Sequence, residues 1–309
     1  MHVYLPIAEM SVNVLVFLGL GAAVGCLSGL FGVGGGFLLT PLLIFLGIPP
    51  VVAVGTGTAH VVATSVSGAI AQYRRNNIDF KMGLVMLIGG WAGSAIGVEA
   101  VRVLRKAGLF DLVISLTYLT FLGVVGSLMM IEGISAWRKS NAGRPTGLRK
   151  SGQHSWVDGL PLKMRFHRSK LYISAIPPML IGMFVGFMAA IMGIGGGFVI
   201  IPAMIYLLRM STGVVIGTSL FQIVFVAAFA TILHALQNKS VDVVLAAILM
   251  TGGVFGAQVG SALGQDLKAE WLRILLAAIV LLVCLRVAFD LVAMPGELYS
   301  FGSLGGGGR

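Results

Sequence analysis

Charge is what this sequence has least of. Asp, Glu, Lys and Arg make up 10% of its 309 residues, against about 25% in a soluble domain. Acid is scarcer than base, with 11 Asp and Glu against 21 Lys and Arg. The two cysteines, Cys26 and Cys284, both sit inside apolar runs, so they offer neither a disulfide framework nor metal-ligand spacing and read as small packed residues. No basic stretch precedes the first apolar run, and a cleaved signal peptide is not expected. No Walker A pattern occurs. Gly32-Val33-Gly34 has Phe37 where a G-x-G-x-x-G fingerprint needs glycine, and no βαβ pattern surrounds it. Alternating segments of about ten residues are also missing, which excludes an outer-membrane barrel.

What is present is hydrophobic. Apolar residues reach 57% and the mean hydropathy is +0.99. Apolar segments fall near 11–31, 36–48, 51–73, 82–101, 109–137, 172–192, 198–208, 212–236, 243–263 and 271–292. Most exceed the roughly 18 residues that mark a membrane span. The segments 36–48 and 198–208 are too short to cross alone at about 1.5 Å per residue, and read as half-helices. The expected fold is an all-α polytopic membrane protein. Two homologous halves would carry about four spans each plus a broken or half-helix. Residues 1–137 form the first transmembrane repeat, 138–170 a basic cytoplasmic loop, 171–293 the second repeat, and 294–309 a flexible low-complexity tail.

Each short segment follows a run of glycine: GVGGGFLLTP at Gly32–Pro41 and GIGGGFVIIP at Gly193–Pro202. Laying Ser28–Pro41 on Ala189–Pro202 gives six identities in fourteen. Gly55-Thr56 then matches Gly217-Thr218, Asp79 matches Asp242, and Gly89, Gly93 and Gly97 match Gly252, Gly256 and Gly260. The offset drifts only from 161 to 163, the mark of an internal duplication.

The net charge of +10 is concentrated. Between Arg138 and Lys170 stand nine Lys and Arg against one acid, Asp158. That composition makes a cytoplasmic loop by the positive-inside rule and suits contact with anionic lipid headgroups. It accounts for the basic excess without nucleic acid. If each short segment returns across part of the bilayer, a half holds an odd number of crossings and the repeats are inverted. The turn Gln237–Asp242 would then face away from its basic counterpart Arg74–Lys81. Arg102, Arg105 and Lys106 would lie outside, against the rule.

A glycine costs a helix roughly 1 kcal/mol relative to alanine, so two equivalent clusters require a reason. A broken helix leaves backbone N–H and C=O groups unpaired. In a membrane such backbone survives only when buried in protein or lining a wet cavity. Broken helices in duplicated halves therefore point to a transport site. The glycines precede the short helices, whose N-termini offer N–H donors and partial positive charge, an anion site. Glycine also permits close approach of a ligand to the backbone. Pro41 and Pro202 fall one turn into these helices, where a lost N–H is expected to cost least. An ion alone in hydrocarbon costs tens of kcal/mol. Two helix ends at up to ~2 kcal/mol, plus several hydrogen bonds to charge at about 1.5–3 each, supply about 10. Water must therefore enter from one side, which fits alternating access. Close helix packing is the alternative use of such glycines.

Gly55-Thr-Gly-Thr-Ala-His60 aligns with Gly217-Thr-Ser-Leu-Phe-Gln222, placing His60 and Gln222 at equivalent mid-span positions. Polar side chains at that depth face the bundle interior or a cavity. The candidate substrate-binding set is Gly32, Gly34, Gly35, Gly36, Thr56, Thr58 and His60 in the first half. In the second it is Gly193, Gly195, Gly196, Gly197, Thr218, Ser219 and Gln222. The alternative for the hydroxyls is hydrogen bonding that holds helices together. His60 is the mid-span group expected to titrate near neutral pH. Gly89/93/97 and Gly252/256/260 read as packing ridges, and Asp79 and Asp242 as caps of the helices that follow. Trp137, Trp156 and Trp271 suit interfacial belts. Glu132, Arg286 and Asp290 lie near span ends, with Arg286 and Asp290 spaced for a pair. His154 and His167 are too far apart for a helical metal pair. No catalytic group, cofactor or metal is expected.

Two copies of G-x-G-G-G-F-x-x-x-P, each followed by G-T, in a hydrophobic chain of this length resemble the TauE/SafE sulfite-exporter family across roughly 11–292. The resemblance implies a bacterial inner-membrane transporter moving sulfite, sulfoacetate or another organosulfonate outward, with the eight motif glycines lining its site. The partners expected are a small anion, membrane lipids and a second copy in a homodimer, with no nucleic acid. Import, transport of another small anion, an anion channel and an intramembrane enzyme are the other readings. Mid-span acids are scarce, which weighs against the enzyme.

Overall fold

The structure, a computed structural model, describes residues 2–32, 34–141, 163–166, 168–169, 171–208, 210–263 and 269–292. Most of the basic loop, with His154, Trp156 and His167, lies outside the described residues, as do the tail and the side chains of Glu132, Trp137, Trp271 and Asp290. Each half opens with a short hairpin, β1 (His2–Leu5) and β2 (Met10–Asn13), or β3 (Lys163–Phe166) and β4 (Leu171–Ser174). The first half continues as α1 (Val14–Phe31), α2 (Gly36–Phe45), α3 (Pro50–Arg74), α4 (Phe80–Lys106) and α5 (Phe110–Asn141). The second continues as α6 (Ile176–Met192), α7 (Gly197–Tyr206), α8 (Thr212–Leu233), a π-helical turn (His234–Asn238), α9 (Val243–Leu263) and α10 (Ala269–Val292). Six of these helical segments are long and apolar enough to cross a membrane. Large side chains such as Ile88, Leu128, Phe255, Leu282 and Phe289 face outward, where only hydrocarbon suits them. The protein is an all-α, multi-pass membrane protein.

The halves interlock rather than stand side by side. α1 packs along α9, with Gly21 against Leu249 and Gly25 against Gly253. A Cβ on Gly21 would come within 2.6 Å of the Leu249 carbonyl oxygen, so the contact requires glycine. The equivalent pair is α4 along α6, where Gly89 meets Met179, Gly93 meets Met183 and Gly97 meets Phe187. Both expected glycine ridges are therefore packing surfaces. α3 crosses its own equivalent, α8. Thr58 lies opposite Thr231 and Gly68 opposite Leu220, so the two run antiparallel. α5 and α10 are likewise antiparallel, with Gly126 at Val280 and Gly133 at Ile274.

The hairpins are absent from the sequence expectations, yet they repeat at the same offset as the glycine motifs. His2 pairs with Asn13, and Lys163 with Ser174. Their turns reach the two capping aspartates. Asp79 Oδ1 accepts from the Met82 amide at 3.2 Å, and its Oδ2 accepts from the Ser169 amide at 3.0 Å and hydroxyl at 2.7 Å. The Asp79 amide donates to Thr218 Oγ1 at 3.0 Å. In the mirror arrangement, Asp242 accepts from the Leu245 and Ile7 amides at 3.1 and 2.9 Å. Its own amide donates to Thr56 Oγ1 at 3.2 Å. Each aspartate caps its helix as expected, and each also joins an element of its own half to the opposite half. Thr56 and Thr218, expected beside the substrate, spend their oxygens on these latches.

The basic turns cluster at one end. Arg168 donates to the Asn76 carbonyl and side-chain oxygens at 3.3 Å, so the hairpin leaving the basic loop touches the Arg74–Lys81 turn. Arg105 is occupied at the other end, donating to the Asn238 carbonyl at 2.7 Å, and Arg102 pairs with Glu99. Arg286 lies over the Phe45 ring.

Replacing Thr218 with valine leaves the buried Asp79 amide without an acceptor, and Thr56→Val does the same at Asp242. Each change is expected to destabilise the protein by about 1–3 kcal/mol, whereas Thr→Ser at either position retains the oxygen. Thermal unfolding in detergent checks this; equal midpoints for the Val and Ser variants would refute the latch.

Candidate substrate site

Both glycine clusters break the chain as expected. α1 ends at Gly32 with φ 68°, and Gly34 and Gly35 follow at 84° and 69°. The second break repeats this at Gly193, Gly195 and Gly196, with φ 70°, 72° and 82°. L-residues avoid this left-handed region, so three glycines in each motif are required by backbone shape alone. In the first motif the fourth, Gly36, is required by space. A Cβ on Gly36 would lie 2.7 Å from the Gly193 carbonyl oxygen, so the two breaks touch.

The short helices start side by side. Phe37 and Phe198, second residues of α2 and α7, stack with centroids 4.9 Å apart and planes 14° apart. Gly34 and Gly195 both face Val61 and Ile223, which are equivalent residues near the middles of α3 and α8. Neither helix start carries a side-chain cap. The first N–H groups of a helix have no acceptor inside it, and here two such starts adjoin at mid-span. Pro41 and Pro202 stand sixth in α2 and α7, beyond the first turn. Each therefore removes a real helical bond, to the carbonyl of Phe37 or Phe198.

Several polar atoms near this point are buried without a hydrogen-bond partner: Thr40 Oγ1, both His60 nitrogens, Ser65 Oγ and Gln222 Oε1. Ser65 Oγ is 3.2 Å from the place a Cβ on Gly34 would take, and Thr40 Oγ1 is 2.9 Å from that of Gly193. Thr64 donates to the Gly34 carbonyl at 3.2 Å. His60 and Gln222 keep their equivalence, since His60 packs on Gly253 of α9 and Gln222 on Gly90 of α4. The Gln222 amide donates to the Met86 carbonyl at 3.3 Å. The His60 ring lies near the Gly21 backbone without hydrogen-bonding geometry.

The remaining candidates are engaged elsewhere. Thr58 donates to the Gly55 carbonyl at 2.7 Å and accepts from Thr231 at 2.9 Å; Ser219 donates to the Ile216 carbonyl at 3.0 Å. Sequence reasoning missed Thr40, Thr64 and Ser65. Thr64 and Ser65 lie within about a turn of His60, but their equivalents are Val226 and Ala227, so an alignment of the halves hides them.

A cavity of about 170 Å³ reaches this region from one end. Ser28, Gly32 and Thr64 line its inner part, and Gln72 and Arg75 stand toward the turn that follows α3. A single water needs roughly 10–15 Å³ by this measure, so several fit. Among the described residues no group of three or more His, Cys, Asp or Glu could hold a metal ion.

Membrane-length helices, duplicated and broken at equivalent mid-span points around unsatisfied polar atoms, make up the build of a membrane transporter. Comparison with known proteins agrees. The chain belongs to the sulfite exporter TauE/SafE family, whose model matches residues 17–287. It is 32% identical to the probable membrane transporter protein YjnA of Bacillus subtilis, covering 90% of this chain and all of that protein. It is 25% identical to the probable membrane transporter protein YunE of the same organism, covering 91% and 98%. A probable membrane transporter protein of Xylella fastidiosa is 30% identical over 84% of this chain and 87% of its own length. No solved structure matches the chain significantly.

Gly34→Ala and Gly36→Ala are expected to separate the two uses of glycine. At Gly34 a Cβ meets nothing closer than 3.2 Å, so the cost is left-handed strain of about 1–2 kcal/mol. At Gly36 the opposite break blocks it, and folded yield in detergent should fall much further. Equal yields from the two variants would contradict the contact between the breaks.

Proposed function

We propose that this protein is a secondary transporter that exports a small sulfur-containing anion, sulfite, sulfoacetate or a related organosulfonate, across the bacterial inner membrane by alternating access. One observation carries the reading: the uncapped starts of α2 and α7 adjoin at mid-span. Two positive helix ends repel each other when empty and are satisfied together by one anion. The amides of Gly34, Gly35 and Gly195–Gly197 bind it, with the Ser65 hydroxyl completing the shell; the Gly36 amide donates instead to the Gly34 carbonyl at 2.9 Å. His60 and Gln222 stand behind this shell, where a small helix movement brings their unpartnered atoms to the ligand.

The repeats are inverted in this proposal. Support comes from the antiparallel run of α3 against α8 and of α5 against α10, because equivalent helices related by an in-plane axis run oppositely. The positive-inside rule places the Arg75 and Arg168 end in the cytoplasm. The cavity opens beside Arg75, a state suited to loading from inside and therefore to export. The anion's sulfur chemistry rests on the family description and on a partial relative, the sulfite exporter TauE/SafE family protein 3 of Arabidopsis thaliana. That protein is 28% identical over 40% of this chain and 27% of its own length. The other partners proposed are anionic lipid headgroups at the basic end and a second copy in a homodimer. Nucleic acid has no place in this reading, nor does a catalytic step.

Purified protein in proteoliposomes is expected to carry sulfite or sulfoacetate and to show counterflow, with taurine and sulfate as comparisons. Sulfate flux without sulfite flux would redirect the reading to another anion, and flux without counterflow would indicate a channel. His60→Ala should lower anion flux roughly ten- to a hundredfold, the equivalent of one hydrogen bond to charge, at near-normal folded yield. Unchanged flux in that variant removes His60 from the site.

A further inference from the structure

The duplication makes one comparison possible that neither half permits alone. If the open cavity beside α1 has an equivalent beside α6, its lining follows from the repeat offset. Gly29, Gly68 and Gln72 line the open cavity and are half-exposed. Their equivalents are Ala190, Ala230 and His234, and all three are fully buried. His234 occupies the equivalent place. Its Nε2 donates to the Ala190 carbonyl at 2.9 Å, and its Nδ1 accepts from the Asn238 side chain at 3.1 Å. The Asn238 carbonyl in turn accepts from Arg105 of the other half.

Gln72 behaves differently. Its Oε1 accepts from Asn77 at 2.9 Å, leaving the Gly29 side of the cavity open. Local backbone explains part of the difference. Between His234 and Asp242 the second half holds one residue more than the first does between Gln72 and Asp79. The extra residue is taken up in the π-helical turn His234–Asn238, a form that concentrates at functional positions.

We infer that His234 is the gate of a second, closed vestibule equivalent to the open one, held shut by its bond to the Ala190 carbonyl and latched by Asn238 and Arg105. Opening this end breaks the His234–Ala190 bond. Closing the other end swings Gln72 from Asn77 toward the Gly29 carbonyl. Water and solute therefore reach the paired helix starts from one end at a time. The inference rests on the alternating-access part of the proposed function and is independent of which anion is carried.

Cysteine accessibility in proteoliposomes tests it without substrate. In a Cys26→Ala, Cys284→Ala background, a membrane-impermeant maleimide should label Ala71→Cys, in the open cavity, and leave Ala230→Cys unlabelled. Adding His234→Ala should raise labelling of Ala230→Cys roughly tenfold, the worth of one buried hydrogen bond, and lower that of Ala71→Cys. Asn238→Ala, which removes the side-chain bond to His234 Nδ1 and keeps the carbonyl that Arg105 holds, should act in the same direction and serves if His234→Ala does not fold. Gln72→His should close the open end and depress labelling of Ala71→Cys. Ala230→Cys that labels as fast as Ala71→Cys before any gate change overturns the inference. So does Ala230→Cys that stays unlabelled in a folded His234 or Asn238 variant. Absent sulfite flux with the expected labelling pattern would count against the substrate alone.

Discussion

A backbone amide cannot be left without an acceptor in hydrocarbon, and this structure is organised around a place where two helices begin without side-chain caps. Each unsatisfied group costs several kcal/mol in lipid. Two helices interrupted in the same plane would be untenable on the bilayer side of a bundle. They are tolerable where the breaks meet each other, walled by α3 and α8 and capped by the stacked rings of Phe37 and Phe198. The interruption thus dictates burial, burial dictates the close crossing of α3 with α8, and that crossing places His60 and Gln222 against glycines of the opposite half.

The same constraint explains why the halves interlock. Lipid provides no hydrophobic drive for helices to associate, so packing at close range and hydrogen bonds must do so. α1 with α9, and α4 with α6, meet through glycines whose missing Cβ atoms let backbone touch backbone. The Asp79 and Asp242 latches then tie hairpin, helix start and opposite half at each end. An aspartate at a helix start is usually worth about 1 kcal/mol as a cap. Buried, and accepting from a second element as well, each also fixes how the halves register. The threonines beside them, each accepting from an aspartate amide, are parts of that frame.

Most of the architecture was readable from periodicity and spacing. Each of the ten apolar segments holds a helix, the two glycine runs are breaks, and the aspartates are caps, because each of these follows from local backbone chemistry. What escaped was of two kinds. The hairpins have short, mixed segments, His2–Leu5 and Lys163–Phe166, that carry no period distinguishable from a loop; only their repeat at a common offset marks them. The hydroxyls at the breaks, Ser65 and Thr40, escaped because alignment of the halves rewards residues that repeat, and Ser65 is answered by Ala227. Conversely, Thr56 and Thr218 repeat faithfully because the latch exists at both ends. Repetition within a duplicated chain marks what both halves need structurally, and a function that one half performs alone is invisible to it.

That distinction bears on why the halves differ where they do. A strictly symmetric protein would open both ends equally or neither, and an ion path open at both ends is a leak. Three departures from symmetry lie on or beside the path: Ser65 against Ala227, Thr64 against Val226, and Gln72 against His234. The first two line or adjoin the open cavity with hydroxyls on one side and apolar groups on the other, so water is welcomed from one end only. The third decides which end is filled. His234 in its π-helical turn bonds the Ala190 carbonyl while Gln72 bonds Asn77, so in the proposed cycle the frame can stay symmetric while the equilibrium between its two states is biased. In the proposed exporter, a resting state open toward its supply of solute is the useful bias.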